Sequence, residues 1–346
     1  MTMIADAPPA ADLRPQARGP VSERLIQVLT GSPDDGAAWA DLARAAARIS
    51  PDALRDDDLQ LSLFLLYGLH YGPAEWVRGE WEWHPELLSG RAALEERFEG
   101  DLRAQVPVPD EQQGAAGIPD LLFRMTGVQS GPSLSRHLAK KATREQAVES
   151  LIQRSIYTLK EADPHSWAIP RLSGRAKVAL VEIQSDEYGA GRPARMHQSI
   201  FARAMDAAGL DSRYGAYVDV VPALTLASLN LMSLLGLHRR LRGAIVGHLA
   251  AYEMTSSIPC RKYADGFRRL GFAEEVVDYF EEHVEADAVH EQIAGRDLAG
   301  GLAEDDPETI PDIVFGAAAC LHVDGLVGEH MLAAWERGES SLRTPA

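Results

Sequence analysis

Apolar residues recur at three- and four-residue spacing along most of this chain. From Val21 to about Asp163 the repeat is clearest in 38–49, 59–70, 85–105 and 144–159. It returns in 175–187, 194–209, 218–236, 238–257, 259–271, 273–295 and 309–336. Such spacing puts the apolar side chains of an α-helix on one face. There is no alternation of strands with helices, no glycine-rich phosphate loop and no internal repeat, so the pattern predicts an all-α helical bundle. Polar stretches bearing Pro and Gly break it at Ser32 to Gly36, Pro107 to Gly117 and Pro164 to Gly174. The last break divides the chain into an N-terminal helical region, 21–165, and a second bundle, 175–340. Residues 1–20 are rich in Ala and Pro and lack a charged start followed by an apolar stretch, so they are expected to form a disordered leader.

Composition narrows the function. The 346 residues carry 34 Lys and Arg against 51 Asp and Glu, a net charge of -17 that repels phosphate backbones and anionic lipid. Nucleic-acid and membrane partners are therefore not expected, and no run of about 18 apolar residues stands out as a span. Two cysteines, Cys260 and Cys320, provide neither a disulfide framework nor a thiolate cluster, which suits a cytoplasmic setting. The segment Leu63 to His84 clusters aromatics with His70, Glu82 and His84 and is read as core packing.

The chemistry is concentrated later. Residues 283–290, HVEADAVH, place His283, Asp287 and His290 at i, i+4 and i+7, within a sector of roughly 60° on a helix. Val276, Tyr279, Phe280 and Ala294 fall within about 60° of His283, whereas Glu274, Asp278, Glu281, Glu285 and Gln292 lie opposite. The imidazoles and the carboxylate thus point with the apolar stripe. Buried groups of this kind are costly unless paired or bound to metal, and imidazole with carboxylate is a usual iron set; a hydrogen-bonded core trio fits the same pattern. Two more helices carry such an anomaly: His197 lies with Phe201, Ala204 and Ala208, and Glu253 with Val246, Leu249 and Ala250. Bundles build metal sites from inward side chains on facing helices. Glu187 precedes His197 by ten residues, about 15 Å along an unbroken helix, but Gly189, Gly191 and Pro193 allow the chain to turn between them.

A Glu, a His ten residues on, a later Glu and then His-x3-Asp-x2-His resemble the ligand order of the haem-oxygenase-like diiron oxidases and oxygenases, the iron-containing redox enzymes. The resemblance spans about 175–335. It implies a bundle of about seven core helices, with an additional N-terminal helical region here. It also implies two ferrous ions held by Glu187, His197, Glu253, His283, Asp287 and His290, with a carboxylate bridging them, and manganese as the alternative metal. O2 would be the co-substrate. The substrate would be a small amine or carboxylic acid, undergoing N-oxygenation, desaturation or C–C cleavage. An external electron donor and a homodimer fit the same class. Arg239, Arg240, Arg242, Arg261 and Arg296 are candidates for a substrate carboxylate, while His238, His248, His322 and His330 read as structural. Two rivals stand beside this reading: a haem-binding bundle, which needs one axial histidine and a slot, and a metal-free helical interaction protein with an inward polar network.

Overall fold

The computed structural model describes residues 13–31, 36–71, 77, 79–110, 114–127 and 132–344; the side chains of 285–288 lie outside the described set. Residues 1–12 of the expected leader also fall outside it. Among the described residues every regular element is helical. In chain order the α-helices are α1 Pro20–Thr30, α2 Gly36–Ile49, α3 Asp57–Gly68, α4 Pro85–Gln105, α5 Ile118–Gly127, α6 Leu134–Lys140, α7 Arg144–Thr158 and α8 Asp163–Ser166. They continue with α9 Gly174–Glu187, α10 His197–Ala207, α11 Ala223–Leu237, α12 Arg242–Met254, α13 Ser257–Arg269, α14 Glu274–Gln292, α15 Gly300–Asp305 and α16 Ile310–Glu336. The chain forms two compact units, one comprising 8–106, 218–234 and 342–346, the other chiefly 107–217 and 235–341. The stretch Pro164 to Gly174, expected to separate two regions, lies inside the larger unit, which also holds α7, α8, α9, α10 and α12 to α16.

In the smaller unit polar groups fix the helix ends. The Asp56 carboxylate caps α3 by accepting from the backbone N–H groups of Asp58 and Leu59, and Asp58 accepts from Val21 and Ser22 at the start of α1. Helix α11 is apolar almost all round, and a buried amide ties it to α3: Asn230 Nδ2 donates to the Gln60 backbone and side-chain oxygens at 2.9 and 2.7 Å. Arg18 pairs with Asp57 at 2.7 Å and donates to the carbonyls of Val218 and Val221. In the aromatic segment, read as core packing, Trp81 is fully buried but Trp83 is 63% exposed, and His70 lies 3.1 Å from Glu82 and 2.6 Å from Arg91.

In the larger unit the closest helix pair is α12 with α16. Gly247 lies against the Ile313 carbonyl and Gly316 against the Ala244 carbonyl, with no room for a Cβ at either position. Helix α16 is long and apolar enough to cross a membrane, unlike the expectation above, yet half of its most apolar stretch is buried inside the fold. Aromatics lock α13 to α14, with Phe267 stacked on Phe280 at 5.1 Å, and α10 to α14 through Phe201 and Tyr279 at 4.9 Å. Helix α7 opens with a capping box between Thr143 and Gln146.

His248 of α12 is buried against His165 of α8, Nδ1 to Nε2 at 3.2 Å. Burial pulls His165 down to about 4, against the opposing charge of Glu187, and pulls His248 well below the usual imidazole value. An unfolded chain would protonate both near 6.5. The unfolded state therefore binds more protons between pH 6.5 and 4, so the stability these residues contribute is present above pH 6.5 and is lost as pH falls towards 4. Chemical denaturation of the metal-free protein should read a loss of about 2 kcal/mol between pH 7 and pH 5 from His165 alone. A His165→Phe variant should flatten that slope.

Candidate metal centre

Helix α9 ends at Glu187. Gly189, Ala190 and Gly191 then adopt positive φ of 71°, 49° and 78°, and two 3-10 turns lead to His197 at the start of α10. The break folds the chain back so that His197 Nδ1 lies 2.9 Å from Glu187 Oε2, where a continuous helix would have held them about 15 Å apart. Gly189 is required here, because a Cβ on it would meet the Met196 backbone nitrogen at 2.6 Å. Glu253 sits in the last turn of α12, and His283 and His290 lie two turns apart on α14. Asp287 belongs to the same helix, but its side chain lies outside the described residues. A π-helical turn, Ile293–Ala299, follows α14, an insertion often found beside functional sites.

These side chains converge in two groups. Ligand atoms of Glu161, Glu187, His197 and His283 all lie within 4.8 Å of one another, as do those of Glu187, Glu253 and His290. Donors on opposite sides of an ion at about 2.0–2.3 Å would be about 4–4.6 Å apart, so both groups have the dimensions of a coordination sphere. Every member is at most 7% exposed, and Glu187 belongs to both. The donor set of carboxylates and imidazoles fits iron, and manganese equally by type.

Glu161 was not anticipated from the sequence. It follows α7 by three residues, within the region assigned to N-terminal helices. A signal was present: Arg154 and Glu161 share a helical face with Ala147, Leu151 and Thr158, the same anomaly that singled out His197 and Glu253.

Three carboxylates packed together collect positive charge. Burial alone would raise the Glu187 carboxyl, but the charge and hydrogen bond of His197, followed by His283 and His290, hold it below the usual range. His197 is raised, its burial outweighed by Glu187. His290 is raised to about 9: burial opposes this, but the hydrogen bond and charge of Glu253 prevail, helped by Asp186 and Glu187. Glu253 is raised by burial and by the nearby Glu187 charge. Without metal, the cluster thus holds protons on imidazoles where divalent cations would fit.

The surrounding shell orients the rings. His283 Nδ1 lies 2.8 Å from the Tyr279 carbonyl, which can only accept, so Nδ1 carries the proton and Nε2 faces Glu161 Oε1 at 3.5 Å. His290 presents Nε2 to Asp186 Oδ2 at 3.2 Å and turns Nδ1 towards Glu253 at 3.4 Å and Glu187 at 3.9 Å. A carboxylate or carbonyl behind each imidazole is the usual way to fix the tautomer of a ligating histidine. The Tyr279 hydroxyl donates towards both Glu161 oxygens at 3.4 and 3.3 Å.

A cavity of about 380 Å³ opens onto this cluster, lined by Glu161, Tyr279 and His283 at one end and by Arg154, Tyr263 and Asp324 elsewhere. None of Arg239, Arg240, Arg242, Arg261 or Arg296 lines it. Arg242 pairs with Asp306, and Arg296 covers the Phe123 ring.

Comparison with known proteins agrees with this chemistry. A nitrosourea synthase of Streptomyces achromogenes subsp. streptozoticus is 29% identical over 200 residues, which make up 57% of this chain and 42% of that protein. The chain therefore spans about two fifths of that relative's length. The profile of the iron-containing redox enzymes matches residues 148–325, just over half of the chain and all the candidate ligands, Glu161 included. The chain belongs to the iron-containing redox enzyme family.

Proposed function

We propose that this chain is a non-haem diiron oxidase or oxygenase that uses O2 to oxidise a small metabolite bearing an amine or a carboxylate. The observation that carries the reading is the buried Glu187, common to two ligand groups, as a carboxylate between two ions must be. One ion would be held by Glu161, Glu187, His197 and His283. The other would be held by Glu187, Glu253 and His290; Asp287 is a further candidate ligand on sequence grounds alone. When bound, two ferrous ions supply the reduction of O2, a redox capacity that protein side chains lack.

The chain's own residues prepare that chemistry. With metal bound, the Tyr279 carbonyl and the Asp186 carboxylate would keep the protons of His283 Nδ1 and His290 Nε2, leaving His283 Nε2 and His290 Nδ1 to the ions. The Tyr279 hydroxyl keeps a proton beside Glu161. The aromatic rings of Phe201, Tyr279 and Phe280 exclude water on the α10 and α14 side, which strengthens every charge interaction inside. Nitrosourea synthase takes its name from a product with an oxidised nitrogen, so oxidation at a substrate nitrogen is the form of the reaction we favour over desaturation or C–C cleavage.

Anaerobic loading with ferrous iron tests the assignment. Elemental analysis should find two iron ions per chain, and mixing with O2 should give an optical transient that decays faster with the right amine. An iron content near zero, or a single zinc that survives iron loading, would overturn the diiron reading.

A further inference from the structure

Two arginines, Arg136 and Arg154, line the cavity beside the metal centre, together with the carboxylates of Glu161 and Asp324. Arg154, in the third turn of α7, lines the cavity, and among the described residues no carboxylate lies within ion-pair distance of it. Its guanidinium lies over the Tyr263 ring at 4.4 Å and near Phe280 at 5.7 Å. The two rings hold the plane of the group, and the Tyr263 hydroxyl is a hydrogen-bond partner on one side of it. A guanidinium taken out of bulk water without a counter-charge is costly, and its planar fork matches a carboxylate in a bidentate fashion.

We propose that Arg154 is the specificity-determining residue of this site and binds the carboxylate of a small, singly charged organic anion, the substrate. This rests on the reading of the cavity as the substrate chamber of the oxidase. The carboxylates of Glu161 and Asp324 in the same lining repel a second negative charge, so a carboxylate suits the cavity better than a phosphate dianion. The volume of about 380 Å³ corresponds to roughly a dozen water-sized units, so the molecule has about a dozen non-hydrogen atoms. Arg154 lies within α7 and Glu161 three residues beyond its end, and no ion pair joins the two among the described residues. The carboxylate is therefore anchored away from the Glu and His cluster, and the opposite end of the molecule, not its acid group, reaches Glu161 and His283.

Three probes of nearly equal size and different charge test this: 4-phenylbutanoate, 4-phenylbutanamide and 4-phenylbutylamine. Titration calorimetry on the full chain, both metal-free and iron-loaded, reads their affinities. The carboxylate should bind at least about 10-fold more tightly than the amide or the amine, a margin typical of one charge-assisted pair. Arg154→Gln should abolish that margin while leaving amide affinity within about twofold. Arg154→Lys, which keeps the charge and loses the fork, should retain part of it and supports the same conclusion if the glutamine variant does not fold. A parent protein with no preference for the carboxylate, or an Arg154→Gln variant that keeps the preference, would overturn the proposal. The metal-free arm separates the two readings. A carboxylate preference in a protein that takes up no iron would leave the Arg154 site standing and the diiron reading fallen; two bound irons without the preference would mean the reverse.

Discussion

Replacing Glu187 by alanine is expected to reduce bound iron from two ions per chain to near zero, whereas Glu161→Ala and Glu253→Ala should each leave about one. The difference follows from the geometry: Glu187 is the one residue common to both ligand groups, while Glu161 and Glu253 each belong to a single group. Removing an outer partner of a ligating histidine typically costs 10–100-fold in metal affinity, so loss of a shared inner carboxylate should exceed about 100-fold at each position. O2 consumption should disappear with the metal. The stabilisation that bound metal lends to the fold, about 4 kcal/mol at a thousandfold excess over the dissociation constant, should disappear too. Elemental analysis of the three variants after identical iron loading reads the pattern. Equal iron loss in all three would mean that Glu187 is not shared. Unchanged iron in the Glu187 variant, with only a lower melting temperature, would return the cluster to a hydrogen-bonded core network.

Much of this molecule is legible in its sequence because amphipathic helices announce themselves. Helices α2, α3, α4, α7, α9, α10, α13 and α16 lie within a few residues of their predicted spans, although α3 is buried on every side from Leu59 to Tyr67. Short helices such as α6, seven residues long, have too few turns to show a period. The division into units was not legible, because 218–234 returns to the company of 8–106, and nothing in a linear apolar run such as α11 records which neighbours it meets. At the site, buried imidazoles and carboxylates were recognisable wherever they interrupted an apolar stripe: Glu187, His197, Glu253, His283 and His290 are all buried within one cluster. Glu161 escaped because it lies beyond the end of its helix and on the far side of an expected boundary. Arg154 escaped for a related reason. A cation's partner, or its lack of one, is a property of three-dimensional neighbours, and the arginines first considered lie elsewhere.

Gly247→Ala should be the most damaging single-methyl change in the larger unit, lowering stability by about 3 kcal/mol or more and taking iron binding with it. Helices α12 and α16 approach through paired glycines. A Cβ on Gly247 would overlap the Ile313 carbonyl oxygen, and one on Gly316 would overlap the Ala244 carbonyl oxygen. Backbone atoms cannot rotate aside as a side chain can, so the helices must separate, and dense packing carries that strain along α12. Glu253 lies six residues on in the same helix, its carboxylate 3.4 Å from His290 Nδ1, so a displacement of α12 opens the second ligand group. Gly325 on α16 gives the control: a Cβ there meets nothing within 4 Å, and Gly325→Ala should be neutral or slightly stabilising, as Gly to Ala in an open helix position usually is. Melting temperature and iron content measured together on both variants decide it. A Gly247→Ala protein that melts with the parent would mean that α12 and α16 can part without cost. One that is destabilised but still binds two irons would mean that Glu253 is held by something other than this helix contact.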